Sequence, residues 1–258
     1  MDDYDRKAAR AKWRLFLVGV LSGTLLVGGG VIALTAVNSG DDSGPEKADK
    51  PRPSASATAR PSGSPKSTPV CTTPANCPPV RVLKPRKVED GASLGFPDTV
   101  QGALSAAVAR WEEYAFLDDQ MARRQLTVTT SRNSPETIDK WVSEVRKLRE
   151  GAGLPPSGAM PAGFNVTTVV KAIHGRSLTD DGEVVHLWMV YDRYAELPND
   201  VVDDDPLKDE EVDVILKWED GDWKLTEEEK YVSKRSFPNA YFPDSPYAAQ
   251  SGWRQVVK

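Results

Sequence analysis

The chain has 258 residues with 33 Lys or Arg against 38 Asp or Glu, and its charge is unevenly placed. Residues 38–89 hold 9 basic and 5 acidic groups, net +4, whereas residues 90–258 hold 19 basic and 30 acidic groups, net −11. The acidic portion lacks the basic footprint that nucleic acid recognition needs, so no nucleic acid partner is expected.

Residues 15–37, LFLVGVLSGTLLVGGGVIALTAV, carry no charge over 23 positions. As a helix at about 1.5 Å per residue they extend roughly 35 Å, enough for a hydrocarbon core of about 30 Å. A transmembrane helix is predicted. A cleaved signal peptide is the competing reading, but its apolar region runs about 7–15 residues and ends small-x-small, whereas this one is longer and ends LTAVNSG. Arg6, Lys7, Arg10, Lys12 and Arg14 precede the span, and no base follows it before Lys47. Residues 1–14 are therefore expected in the cytoplasm and everything after Val37 outside the cell membrane, in a single-pass arrangement with lipid as its first partner. Gly19 and Gly23 form a G-x-x-x-G at which two such helices approach closely, a route to a homo-oligomer.

Residues 38–94 read as an extracytoplasmic linker rich in Pro, Ser and Thr, unable to bury enough apolar surface to fold. Cys71 and Cys77, in VCTTPANCPP, suit a small disulfide loop in an oxidising compartment. With no His nearby and no C-x-x-C spacing, neither a zinc site nor a redox motif is indicated.

A folded domain is expected over residues 95–230. In FPDTVQGALSAAVARWEEY, Asp98 with Gln101 reads as a capping box, followed by an apolar stripe through Val100, Ala103, Leu104, Ala107, Val108 and Trp111. A second helix is predicted in NSPETIDKWVSEVRKLREG, capped by Ser134 with Pro135 in its first turn and stopped at Gly151. Between them MARRQLTVTTSR fits no period clearly. Two long strands follow, joined by a loop near Gly175 to Gly182. If His174 opposes Glu183, one face carries Phe164, Val166, Val170, Val185, Leu187, Met189 and Tyr191. The other carries Val169, Ile173, Val184, Trp188 and Val190, interrupted by Lys171 and His186. One face packs on the helices, which leaves Val184, Trp188 and Val190 as a candidate partner surface.

The last hairpin is VILKWEDGDWKL, Val214–Leu225. A two-residue type I′ turn at Asp220-Gly221 sets Trp218 against Trp223 and Leu216 against Leu225, with Lys217, Glu219, Asp222 and Lys224 on a solvated face. The tail, residues 231–258, carries Phe237, Tyr241, Phe242, Tyr247 and Trp253. Such rings are costly to leave in water, so they wrap the domain or enter a partner, with wrapping preferred.

Helices first, then about four meandering strands ending in W-x-D-G-x-W, resemble the cone-shaped α+β fold of the nuclear transport factor 2-like superfamily. DTVQGALSAAVARWEEY and VILKWEDGDWKL carry that resemblance. The expected fold class is α+β: an N-terminal transmembrane helix, a disordered linker, then helices packed on a curved antiparallel sheet. A cone held outside the membrane is also similar to the bitopic assembly proteins of Gram-positive conjugation and type IV secretion channels. That resemblance implies partners among other envelope or channel proteins.

Enzymes of the superfamily bury Asp, Tyr or His in the cone, and this domain's supply is Tyr114, Asp118, Asp119, His174, His186, Tyr191 and Asp192. In the register above the two histidines point to opposite faces and form no pair. Seven carboxylates between Asp203 and Asp213 lack calcium-loop spacing and read as a solvated loop. No phosphate-loop, dinucleotide, nucleophile-elbow or zinc-protease motif occurs. The expectation is a protein-binding scaffold, not an enzyme, with no catalytic residue, cofactor or metal. The alternatives are a cone enclosing a small apolar ligand and a surface stalk.

Overall fold

A computed structural model describes residues 71–197, 201–202 and 206–258. The expected membrane span, Gly19, Gly23 and the linker before Cys71 lie outside the described residues, as do Asp203 to Asp205. Among the described residues no helix is long and apolar enough to cross a membrane.

Cys71 and Cys77 are joined by a disulfide with Cα atoms 4.6 Å apart. The loop between them turns on Asn76, whose side-chain oxygen accepts from the backbone N–H groups of Thr72 and Thr73. Strand β1 (Val80–Arg81) joins the main sheet, and a hairpin of β2 (Lys87–Glu89) and β3 (Ala92–Leu94) turns at Asp90 and Gly91, with φ of 51° and 74°. Ala92, Ser93 and Leu94 are buried, and Val80, Val82 and Leu83 pack on the core. Residues 71–94, expected as linker, thus belong to the domain. Their prolines mask a few apolar residues, of which Ala92 and Leu94 are buried and Val80, Val82 and Leu83 partly so.

Helix α1 (Val100–Glu113) is capped by Thr99, whose hydroxyl accepts from Gly102 N at 3.0 Å, so the cap lies one residue beyond Asp98. A Cβ on Gly102 would meet the Pro97 carbonyl at 1.9 Å, so only glycine permits this entry. The ambiguous stretch is helix α2 (Asp119–Thr129), capped by Asp118 and contributing Ala122 and Leu126 to the interior. Two buried apolar side chains over 11 residues make a weak period, which explains the illegibility. Helix α3 (Glu136–Gly151) follows Pro135. Ser134 does not cap α3 with its side chain; the hydroxyl meets Thr226 Oγ1 at 3.1 Å and accepts from Glu227 N at 2.9 Å, fastening the helix start to the far end of the sheet.

The main sheet contains β4 (Asn165–Ser177), β5 (Val184–Leu197), β6 (Val201–Val202), β7 (Leu207–Glu219), β8 (Asp222–Leu225) and β9 (Arg254–Val257). It runs β1-β9-β4-β5-β7-β8 with β6 beside β5, seven strands where about four were expected. Every pairing is antiparallel except β1 with β9, and the sheet curls around the helices to give a mixed α+β fold. The β7–β8 hairpin has the register read from its sequence, Trp218 opposite Trp223 and Leu216 opposite Leu225. Asp220 and Gly221 adopt φ of 55° and 75°, as a type I′ turn requires. Its polar face, however, is not wet: Asp222 is buried against Arg110 at 2.8 Å, and Glu219 accepts from Ser131 Oγ and Arg132 N.

The β4–β5 register differs from the expected one. His174 lies opposite Trp188, and pairing continues to Ser177 and Val185. The chain reverses later, in a short turn where Gly182 has a φ of 79° and Asp181 accepts from Glu183 N. A bulge between Val170 and Ala172 also shifts the phase midway. The N–H of Val170 is taken by Glu112 of α1 at 3.0 Å. Consequently Val170, Ile173, Val185, Leu187, Met189 and Tyr191 face the helices. Ala172, Trp188 and Val190 face the other way, and His174 and His186 share that second side.

Candidate functional site

The two sides of the sheet are closed differently. On the convex side the C-terminal segment, with helices α4 (Glu229–Val232) and α5 (Pro246–Gln250), lies across β4, β5 and β7. Trp253 is buried between Ala172, Trp188, Val190 and Ala248, and donates its indole N–H to Asn239 O at 2.7 Å. Tyr231 and Val232 cover Leu178, Val184 and Ile215. The expected partner surface is therefore corrected: Val184, Trp188, Val190 and Trp253 are buried by the chain's own tail and Tyr241 is half-buried over Trp253. Wrapping releases their apolar area from water without a partner. Phe237, Phe242 and Tyr247 of the same segment remain 72, 63 and 67% exposed.

The acids beneath the tail, Asp213 and Asp192, are matched with opposite charges. His186 Nε2 lies 2.8 Å from Asp213 Oδ2, which also receives Arg235 at 3.3 Å. Asp192 receives Lys171 at 2.7 Å, Lys208 at 3.2 Å and the backbone N–H of Asp209 at 3.0 Å. Burial pushes the Asp192 carboxyl up, but these partners outweigh it and hold it below the usual carboxylate range. His174 packs near Trp253, ring centroids 5.9 Å apart, and burial pulls its pKa down, helped by His186, Arg176 and Arg254.

On the concave side the rings of Trp111, Tyr114, Phe116, Trp141 and Tyr191 contact one another edge-on or stacked, with centroids 4.8–6.4 Å apart. In their midst stands Arg193, 1% exposed. Its guanidinium carbon lies 3.4 Å from the Phe116 ring centroid, 4.9 Å from that of Tyr191 and 5.7 Å from that of Trp111. Nε donates to Thr168 Oγ1 at 3.0 Å, but Nη1 and Nη2 have no hydrogen-bond partner among the described residues. The Tyr191 hydroxyl interacts favourably with the guanidinium without reaching hydrogen-bond geometry. Burial pulls Arg193 down to about 10 and lifts Tyr191 to about 12. Glu210, opposite Tyr191 on β7, is raised by burial against the pull of Arg193, with which it forms no ion pair.

Five polar atoms lack partners within this one cluster: Trp111 Nε1, Tyr114 Oη, Tyr191 Oη and the two terminal nitrogens of Arg193. Buried polar atoms are normally paired, because each orphan costs about 1–3 kcal/mol. These orphans cluster around a buried cation that forms no ion pair among the described residues. Of the residues expected to supply acid–base chemistry, only Tyr114 and Tyr191 stand here. Asp118 caps α2, and Asp119 ties down the loop after α3 through Ser157 and Gly158 and α3 itself through Arg146. Asp192, His174 and His186 belong to the opposite side. Arg193 was missed, although the inward alternation Val185, Leu187, Met189, Tyr191 reaches it in its next step. No group of three or more His, Cys, Asp or Glu among the described residues is arranged to hold a metal.

Comparison with protein-family models, with curated proteins and with solved structures finds no match.

Proposed function

We propose that the chain is a non-enzymatic, single-pass membrane protein whose extracytoplasmic domain, related to the nuclear transport factor 2-like cones, is a protein–protein interaction scaffold in a conjugation or type IV secretion-like envelope assembly. The charge asymmetry around Leu15 to Val37 supports the topology. The observation that carries the scaffold reading is the divided use of the C-terminal segment. It buries Trp253 and half-buries Tyr241 against the sheet, yet turns Phe237, Phe242 and Tyr247 outward within 11 residues. Exposed aromatic clusters of this kind are the anchors of protein interfaces. Separation of the acid–base candidates between the two sides of the sheet further supports a binding role over a catalytic one.

A photoreactive residue at position 242, introduced into the full chain in membranes of its native host, tests the reading. A discrete adduct with an envelope protein or a second copy is expected, falling at least tenfold in the Phe237→Ala, Tyr247→Ala double variant. Monomer alone, from a chain that stays with the membrane after alkaline extraction, would exclude the scaffold while leaving the tether intact.

A further inference from the structure

We infer that Arg193 and the rings around it form a receptor for the carboxylate of a small apolar acid, a site on the opposite side of the sheet from the proposed protein-binding surface and independent of it.

The argument begins with the cation. Removing a guanidinium from water is expensive, and proteins normally offset the cost with a carboxylate or a full set of hydrogen bonds. Arg110, in the same domain, meets that rule through Asp222, Ser93 O and Trp223 O. Arg149 meets it with the carbonyls of Pro155, Leu117 and Ala159. Arg193 does not: one hydroxyl serves Nε, aromatic faces cover the guanidinium, and Glu210 and the Tyr191 hydroxyl act on it without an ion pair or hydrogen bond to Nη1 or Nη2. Three ring faces stabilise a desolvated cation, but they leave the in-plane N–H directions of Nη1 and Nη2 unused.

The shape of the unmet demand defines the ligand. With Nε committed to Thr168, the free edge is the pair Nη1 and Nη2, whose parallel N–H groups match the two oxygens of a planar carboxylate. The hydroxyls of Tyr191 and Tyr114 and the indole N–H of Trp111 are additional unpaired groups in the same cluster. One cation, with the Glu210 carboxyl opposite Tyr191 on the neighbouring strand, favours a single negative charge over the dianion of a phosphate. Walls of Trp111, Phe116 and Tyr191 favour an apolar or aromatic body. Arg193 is 1% exposed, so a flat protein surface does not reach it and a small ligand reaches it only when the rings around it move. Tyr114 and Trp141, only half-buried and in edge-to-face contact at 5.7 Å, form the solvent margin of the cluster and are the rings that must part on entry.

Phenylacetate, phenylacetamide and inorganic phosphate, titrated against the full chain in detergent and followed by chemical-shift changes and by thermal shift, test the inference. Phenylacetate is expected to bind at least tenfold more tightly than its neutral amide and than phosphate. Arg193→Met, which nearly keeps the volume and whose folding the thermal transition checks, is expected to abolish the preference over the amide, and Arg193→Lys to restore only part of it. Equal binding of acid and amide, no binding of either, or an unchanged preference in Arg193→Met would each overturn the inference.

Discussion

One sheet separates two interiors that solve the same problem in opposite ways. On the convex side the buried acids carry opposite charges: Asp213 with His186 and Arg235, Asp192 with Lys171 and Lys208. On the concave side Arg193 is buried just as deeply with rings in place of a counterion. Neighbouring positions of β5, Asp192 and Arg193, fall on different sides because strand side chains alternate, and so acquire different electrostatic fates. Closing a face with apolar surface is thus a separate matter from satisfying its polar atoms. The convex side is finished by the chain itself, and the concave side is left wanting an anion.

The largest expected effects test whether the two closures are equally integral. Trp111→Ala on the concave side and Trp253→Ala on the convex side are each expected to cost about 3–5 kcal/mol in urea unfolding. A cost for Trp253→Ala under about 1 kcal/mol would mean that the tail is a loosely attached strap and not a second core. A smaller effect concerns the seam between β7 and the α2–α3 connection. Burial raises the Glu219 carboxyl, but Arg132 N, Ser131 and Lys217 outweigh it and bring it down to about 2. Its folded pKa is depressed, so its contribution is present above its usual 4.5 and lost as pH falls through about 2. Glu219→Gln is expected to lower stability by about 1.5–3 kcal/mol at neutral pH. That deficit should shrink below pH 4.5 and vanish toward 2; a pH-independent deficit would assign the effect to packing.

The smallest effect belongs to the convex side. His174 has a lowered folded pKa, so the unfolded chain binds the proton first and stability declines as pH falls below the ordinary 6.5. His174→Phe is expected to flatten the melting temperature between pH 6.5 and 5, and an unchanged slope would place the sensitivity in another group.

Legibility in the sequence followed how local each determinant is. The β7–β8 register could be read because Asp220-Gly221 fixes the turn and Trp218, Trp223, Leu216 and Leu225 fix the face within twelve residues. The first helix was legible for the same reason, down to a one-residue error at Thr99. The β4–β5 register was not, since its loop carries no two-residue turn signal and the bulge at Val170 is set by Glu112, 58 positions away. Residues 71–94 were hidden by their proline content, and their order comes from β9 at the other end of the chain. Arg193 was written plainly in the alternation of β5. What that pattern does not tell is that no carboxylate meets it, because Glu210 comes from another strand and forms no ion pair with it.

The central claim, that the two interiors differ in having a satisfied and an unsatisfied charge, is tested most directly by comparing urea midpoints of Arg193→Met and Asp213→Ala in the same chain. Removing Asp213 leaves Arg235 without its partner and is expected to cost about 3 kcal/mol, whereas replacing Arg193 with an apolar side chain is expected to be neutral or to add about 1–4 kcal/mol. Opposite or clearly unequal signs support the account. A loss for Arg193→Met as large as that for Asp213→Ala would contradict it.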